Sequence, residues 1–229
     1  MNRRRFDILD AWRSLAIVLM LVYHFLFDLY IFGVMTPEQL FSTPLNLLQK
    51  FICCSFILLA GMSARFSRSN LRRALTVLLA GAAVEIGAAV GGQTIRFGIL
   101  MFLGVSMLLY HFAGKWLQKI PGPLLAAGCG VLFPLTKWWT GRTPVSVRWL
   151  YPVGFLSPGF YSADYFPLFP WLFLFLFGAV LGGRCLERRQ SRLLSARLPA
   201  AVTWLGRHSL LVYVLHQPIL FGISYLIWG

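Results

Sequence analysis

The stretch WRSLAIVLMLVYHFLFDLYIFG, residues 12–33, reads as a helix that crosses a membrane. After Arg13 it holds only two groups that charge near neutral pH, His24 and Asp28, in an otherwise apolar run of 22 residues. At about 1.5 Å per residue such a helix covers about 33 Å, enough to cross a bilayer core of roughly 30 Å. An Asp at the centre of a spanning helix costs about 2.5–3.5 kcal/mol, so it is expected to face a partner or a wet cavity rather than lipid. The i, i+4 spacing puts His24 and Asp28 on one helix face. A carboxylate that orients an imidazole is a common way to build a base that works near neutral pH, which makes this pair the leading catalytic candidate.

Outward from this segment, six more stretches read the same way, at about 46–65, 72–91, 97–113, 122–137, 166–183 and 208–228. The fold expected is an all-α polytopic membrane protein with about seven transmembrane helices, forming a single domain over residues 1–229. Composition agrees: 58% of the residues are hydrophobic, 12% are charged, and the mean hydropathy is +0.71. Although the opening seven residues and the apolar run imitate a signal peptide, no small-residue cleavage pattern follows, so the run is read as a retained span.

A net charge of +14 would suggest nucleic acid in a soluble protein, but here the basic residues alternate by loop. With the N-terminus in the cytoplasm, 16 of the 21 Lys and Arg lie inside, and only Lys50, Arg96, Lys137, Arg142 and Arg148 lie outside. That asymmetry follows the positive-inside rule and, with seven spans, sets the C-terminus outside. Membrane lipid is therefore the expected surrounding partner, and nucleic acid is not expected. The Arg-rich inner stretch 184–207 reads as an amphipathic helix on the anionic leaflet. The outer stretch 138–165 carries Trp138, Trp139, Trp149, Tyr151, Tyr161 and Tyr165 among prolines. It reads as an ordered rim, with interfacial anchoring and sugar stacking both open to its aromatics.

Five ionisable groups inside the spans need partners: His24, Asp28, Glu85, Arg96 and His216. The bland reading pairs Glu85 with Arg96 and gives His216 a backbone carbonyl beside Pro218, whose ring removes a helix hydrogen bond. The alternative is a polar cavity open to the outside, which Asp164, just above the sixth span, would join. Asp10 and Arg13, spaced i, i+3, read as a local ion pair. Arg13 and Arg207 could instead meet phosphates of a cytoplasmic donor. His24, Asp28, Glu85 and His216 are legitimate metal ligands, but no motif of known metal geometry occurs and no metal is expected. Cys53, Cys54, Cys129 and Cys185 read as small core residues.

Four segments carry a resemblance to a known family. FDILDAWRSLA (6–16) runs into MLVYHF (20–25), and it is followed by RFGIL (96–100), DYFPLFPW (164–171) and GRHSLLVY (206–213) leading to His216-Gln217-Pro218. Together these resemble bacterial members of the heparan-alpha-glucosaminide N-acetyltransferase catalytic domain family, within the wider group of transmembrane acyltransferases. The resemblance implies a multi-pass protein of a bacterial plasma membrane, an acyl-CoA donor, a carbohydrate acceptor and an essential histidine. It does not specify heparan.

On that reading, a sugar or amino-sugar hydroxyl or amine on the outer side receives an acyl group, acetyl by preference. His24 serves as base and Asp28 orients it. Glu85, Arg96, Asp164 and Trp171 line the acceptor site, while Arg13, Arg207, His208 and Ser209 hold the donor. His216 and Asp10 are further candidates, and assembly with a second copy stays open. A proton-coupled transporter uses the same midplane groups, and a non-catalytic membrane partner would simply pair them. Proton flux without a donor separates the first from an acyltransferase. Partner binding that survives loss of His24 and Asp28 identifies the second.

Overall fold

The computed structural model describes residues 6–67, 69–143, 145–187 and 197–229. Its long elements are α1 (Asp7–Ile31), α3 (Thr43–Phe66), α4 (Asn70–Val90), α5 (Ile99–Leu117), α6 (Gly122–Arg142), α7 (Leu168–Glu187) and α9 (Ser209–Trp228). Shorter ones are α2 (Pro37–Leu40), α8 (Ala200–Arg207) and a 3-10 turn at Arg148–Leu150. No strand occurs among the described residues. The protein is an all-helical polytopic membrane protein, and among the described residues six helices are long and apolar enough to cross a bilayer: α1, α3, α4, α5, α7 and α9.

The seventh expected span, 122–137, does form a helix, α6, but it falls outside that set. Four glycines, two prolines, Lys137 and Arg142 within its 21 residues dilute its apolar character. Of the Arg-rich stretch 184–207, expected as an amphipathic helix, residues 188–196 lie outside the described residues, as do Arg3, Arg4, Arg5 and Arg68.

The chain divides into two compact units, Met1–Phe56 with Arg188–Gly229, and Ile57–Glu187. In the first, α1 turns Ile17, Met20 and Tyr23 inward onto Ile52 of α3, with Leu48, Leu205 and Val212 against them. Leu15, Val18 and Val22 face outward from the same helix. Lipid is as apolar as leucine, so close packing and hydrogen bonds rather than water exclusion must hold such helices together. Trp12 supplies one such bond, its Nε1 donating to Ser55 Oγ at 3.2 Å.

Another is the seam between α1 and α8. Ser14 Oγ donates to the Asp10 carbonyl at 3.0 Å and accepts from the Gly206 amide at 2.7 Å. Gly206 lies so near the Asp10 backbone that a Cβ would collide with that carbonyl.

In the second unit, the same device joins α4 to α5, where a Cβ on Gly104 would lie 2.6 Å from Leu78 Cγ. Gly178 and Gly182, four apart on α7, and Gly61 on α3 let those two helices approach backbone to backbone. The loop after α6 is tied down rather than slack. Ala163 donates to the Thr94 carbonyl at 2.9 Å, Phe166 to Phe97 at 3.0 Å and Leu168 to Pro152 at 2.8 Å. Tyr165 Oη donates to the Tyr151 carbonyl at 2.6 Å, and Phe160 packs on both tyrosine rings. Burial raises the Tyr165 hydroxyl pKa above its ordinary value. Trp149 and Tyr161 stay exposed on this loop, at 74% and 65%.

Candidate active site

The first unit gathers the polar groups of α1 and α9. The rings of His24 and His216 meet edge to face with centroids 4.7 Å apart and planes at 66°. Asp28 is fully buried, and its Oδ1 accepts from Gln217 Nε2 at 2.7 Å. His216 is also buried, with Nδ1 against the Tyr213 carbonyl. Among the described residues, three buried atoms here have no hydrogen-bond partner: Asp28 Oδ2, His216 Nε2 and Gln217 Oε1. Buried polar atoms are nearly always paired, so three orphans in one cluster mark a place able to hold a polar ligand.

This arrangement corrects one expectation. The carboxylate of Asp28 does not orient His24; among the described residues no hydrogen bond joins them, and Gln217 takes the carboxylate instead. The reason is geometric. Residues four apart on a helix stand one above the other, whereas a side chain from the facing helix can approach the carboxylate end on.

At the start of α1, the groups expected to bind the donor are already engaged. Arg13 Nη1 donates to Asp10 Oδ1 at 2.7 Å and reaches the Gly206 carbonyl at 3.4 Å. Arg207 pairs with Asp7 at 3.2 Å and lies 3.7 Å from Asp10 Oδ2. Asp7 also accepts from the Leu198 amide at 3.2 Å. His208, exposed, packs against the Trp204 ring with centroids 4.6 Å apart and planes at 36°, its Nδ1 lies 2.9 Å from the Trp204 carbonyl, and Ser209 opens α9. The ion pair expected of Asp10 and Arg13 is present, and a donor phosphate would have to displace carboxylates to reach either arginine.

The second unit holds Glu85, Arg96, Asp164 and Trp171. Here too the simplest pairing does not form: Glu85 goes to backbone, not to Arg96. Its Oε1 accepts from the Gly98 amide at 3.1 Å, while Asp164 Oδ2 accepts from Ile99 at 2.9 Å. The two carboxylates thus close the N-terminus of α5, where amides have no partner within the helix and the dipole favours negative charge.

Phe97, at φ 58°, makes the turn that aims both amides outward, and a Cβ on Gly98 would lie 2.6 Å from Asp164 Oδ2. Burial raises the Asp164 carboxyl to about 6; the Ile99 hydrogen bond opposes the shift and nearby Glu85 adds to it. Arg96 is exposed, its amide held by Ser162 Oγ at 2.9 Å. Trp171 packs on Phe133 at 5.7 Å and Phe166 at 5.3 Å. No group of three or more His, Cys, Asp or Glu able to hold a metal ion occurs among the described residues.

A family model described as "Heparan-alpha-glucosaminide N-acetyltransferase, catalytic" matches residues 5–218. The chain belongs to this family. No curated protein and no solved structure matched it. Family membership makes membrane acetyltransferase activity the general expectation, and the matched range takes in both α1 and the His216-Gln217-Pro218 stretch of α9.

Three residues of the first unit were not singled out by sequence reasoning: Gln217, Ser14 and Gly206. Gln217 had a detectable cue, an amide beside a buried histidine and before a helix proline. Ser14 and Gly206 are small residues whose importance depends on a partner helix.

Proposed function

We propose that the protein transfers an acyl group, acetyl by preference, from acyl-CoA at the cytoplasmic side to a hydroxyl or amine of a sugar or amino sugar on the outer side. The observation that carries this reading is the apposition of the His24 and His216 imidazoles at 4.7 Å beside the buried Asp28, on two spanning helices. A neutral imidazole there takes the proton of the acceptor as its oxygen or nitrogen bonds the thioester carbonyl carbon. The C–S bond breaks, and the CoA thiolate recovers that proton to leave as free thiol. A positioned base contributes about 10²- to 10⁴-fold, so transfer can be direct, without an acyl-enzyme. Asp28, fixed by Gln217 through one oxygen, keeps Oδ2 for a donor group of the acceptor.

On the inner side, the pyrophosphate of the donor would exchange with Asp7 and Asp10 for the guanidinium groups of Arg13 and Arg207, because phosphate offers the same forked acceptor geometry. The test uses purified protein in nanodiscs, with acetyl-CoA and glucosamine as probes and release of free thiol as readout. The His24→Asn/His216→Asn double variant should keep its melting temperature and lose turnover to background. Undiminished turnover in that variant would end the proposal.

A further inference from the structure

We infer that His216, rather than His24, is the imidazole that takes the proton; this deepens the acyl-transfer reading and rests on it. The argument begins with the tautomer. His216 Nδ1 bonds the Tyr213 carbonyl, and a carbonyl oxygen only accepts, so Nδ1 carries the hydrogen. In a neutral ring the lone pair then resides on Nε2. That atom is buried and has no hydrogen-bond partner among the described residues, in a residue only 6% exposed. A buried acceptor left unpaired costs folding free energy, and a substrate hydroxyl or amine is the kind of donor that removes the cost.

His24 offers no such definition. Among the described residues no hydrogen bond fixes either of its nitrogens, and it meets His216 with ring contact alone. The residue after His216 adds a second function from the same helix, since Gln217 donates to Asp28 across from it. The pair His216-Gln217 on α9 therefore supplies the base and also the clamp on the carboxylate of α1. The titratable groups around the base are His24 and Asp28 from α1 and Tyr213 from its own helix, whose ring lies 5.3 Å away. In the step itself, the acceptor proton moves to Nε2 and the electron pair it leaves forms the bond to the thioester carbon. The C–S bond breaks, and the thiolate takes the proton back from the imidazolium.

Two measurements on the full chain test this. Histidine 15N spectra of the wild-type protein in nanodiscs should show His216 protonated at Nδ1 and bare at Nε2; the reverse assignment overturns the inference regardless of activity. Thiol release from acetyl-CoA with glucosamine is then followed in His216→Asn, whose amide can still donate to the Tyr213 carbonyl but has no Nε2. It should melt with the wild type, hold the KM for acetyl-CoA within about twofold, and lose about 10²- to 10⁴-fold in kcat together with the acid limb of the pH profile. His24→Asn should lose less and keep that limb. If the wild type turns over and His216→Asn matches it while His24→Asn fails, only this inference falls. If the wild type releases no thiol with any amino sugar tried, the acyl-transfer reading falls, and the role of His216 as base falls with it.

Discussion

Asp28 is fully buried and Asp164 half-buried, yet the two carboxyl groups are used in opposite ways. Asp164, with Glu85, accepts a backbone amide at the start of α5 and completes a helix. Asp28 accepts a side-chain amide from a facing helix, completes no backbone, and keeps Oδ2 without a partner. A polar group that satisfies the main chain is spent on architecture. One that is buried, positioned by a neighbour and still unsatisfied retains capacity for a substrate. On the proposed function, the α1 and α9 cluster is the place for chemistry, and the α5 cap is construction.

The strongest attempt to break that division exchanges the two aspartates for asparagine in parallel. Asp28→Asn should lower turnover by about 10²-fold, about 2.7 kcal/mol at 1.36 kcal/mol per decade, while the melting temperature hardly moves. In Asp164→Asn, turnover per folded molecule should stay at the wild-type level, because the amide oxygen can still accept from Ile99. Thiol release normalised to folded protein reads the outcome, and a large loss from Asp164→Asn with little from Asp28→Asn would reverse the assignment.

Next in size is the seam at the N-terminal end of α1, which behaves like the α5 cap although it shares a unit with the candidate site. Asp10 Oδ2 there has no hydrogen bond but lies 3.7 Å from Arg207 Nε, Ser14 bridges the two helices, and Gly206 has no room for a side chain. Gly206→Val should destabilise by about 2–3 kcal/mol, as overpacking of a tight contact does. Chemical denaturation in detergent measures it. A change under about 0.5 kcal/mol, the ordinary size for a surface substitution, would mean that α8 does not lean on α1.

A smaller effect concerns pH. The Asp164 carboxyl is raised from 3.8 to about 6, so the folded protein holds this proton more tightly than the unfolded chain. Its stabilisation is therefore complete below about 4, declines as pH rises through about 6, and is gone above that. Melting curves from pH 4 to 8 should show this decline in the wild type, and Asp164→Asn should remove it. An unchanged slope in the variant would place the titration elsewhere.

The fold was legible because bilayer crossing demands long apolar helices, and that demand is written residue by residue in segments such as 12–33. α6 was the exception, since its glycines, prolines and Lys137 form a helix without being apolar enough to count with the other spans. At the site, His24, Asp28 and His216 were visible because ionisable groups in hydrocarbon are costly. Their pairing was not. Spacing along one helix suggested His24 with Asp28, and opposite charge on neighbouring helices suggested Glu85 with Arg96. In both cases another partner won: Gln217, 189 residues on, for Asp28, and the backbone amides of Gly98 and Ile99 for Glu85 and Asp164. Hydrogen bonding across helices depends on register and approach, neither of which a single span records.

Arg207 gives the smallest effect and separates its two possible uses. Its side chain is 34% exposed and pairs with Asp7 at 3.2 Å, an arrangement in which solvent screens most of the attraction. Removing it should therefore cost less than about 1 kcal/mol of stability. If its guanidinium instead trades Asp7 for a donor phosphate during turnover, Arg207→Ala should raise the KM for acetyl-CoA several-fold while kcat stays within twofold. A phosphate contact remote from the reacting carbon binds ground state and transition state alike, so its loss appears in KM. Arg207→Lys should recover only part of the affinity, because an ammonium keeps the charge but not the fork. Unchanged KM in both variants would leave Arg207 as an element of the α1 and α8 seam and would move the donor's phosphates away from this end of the first unit.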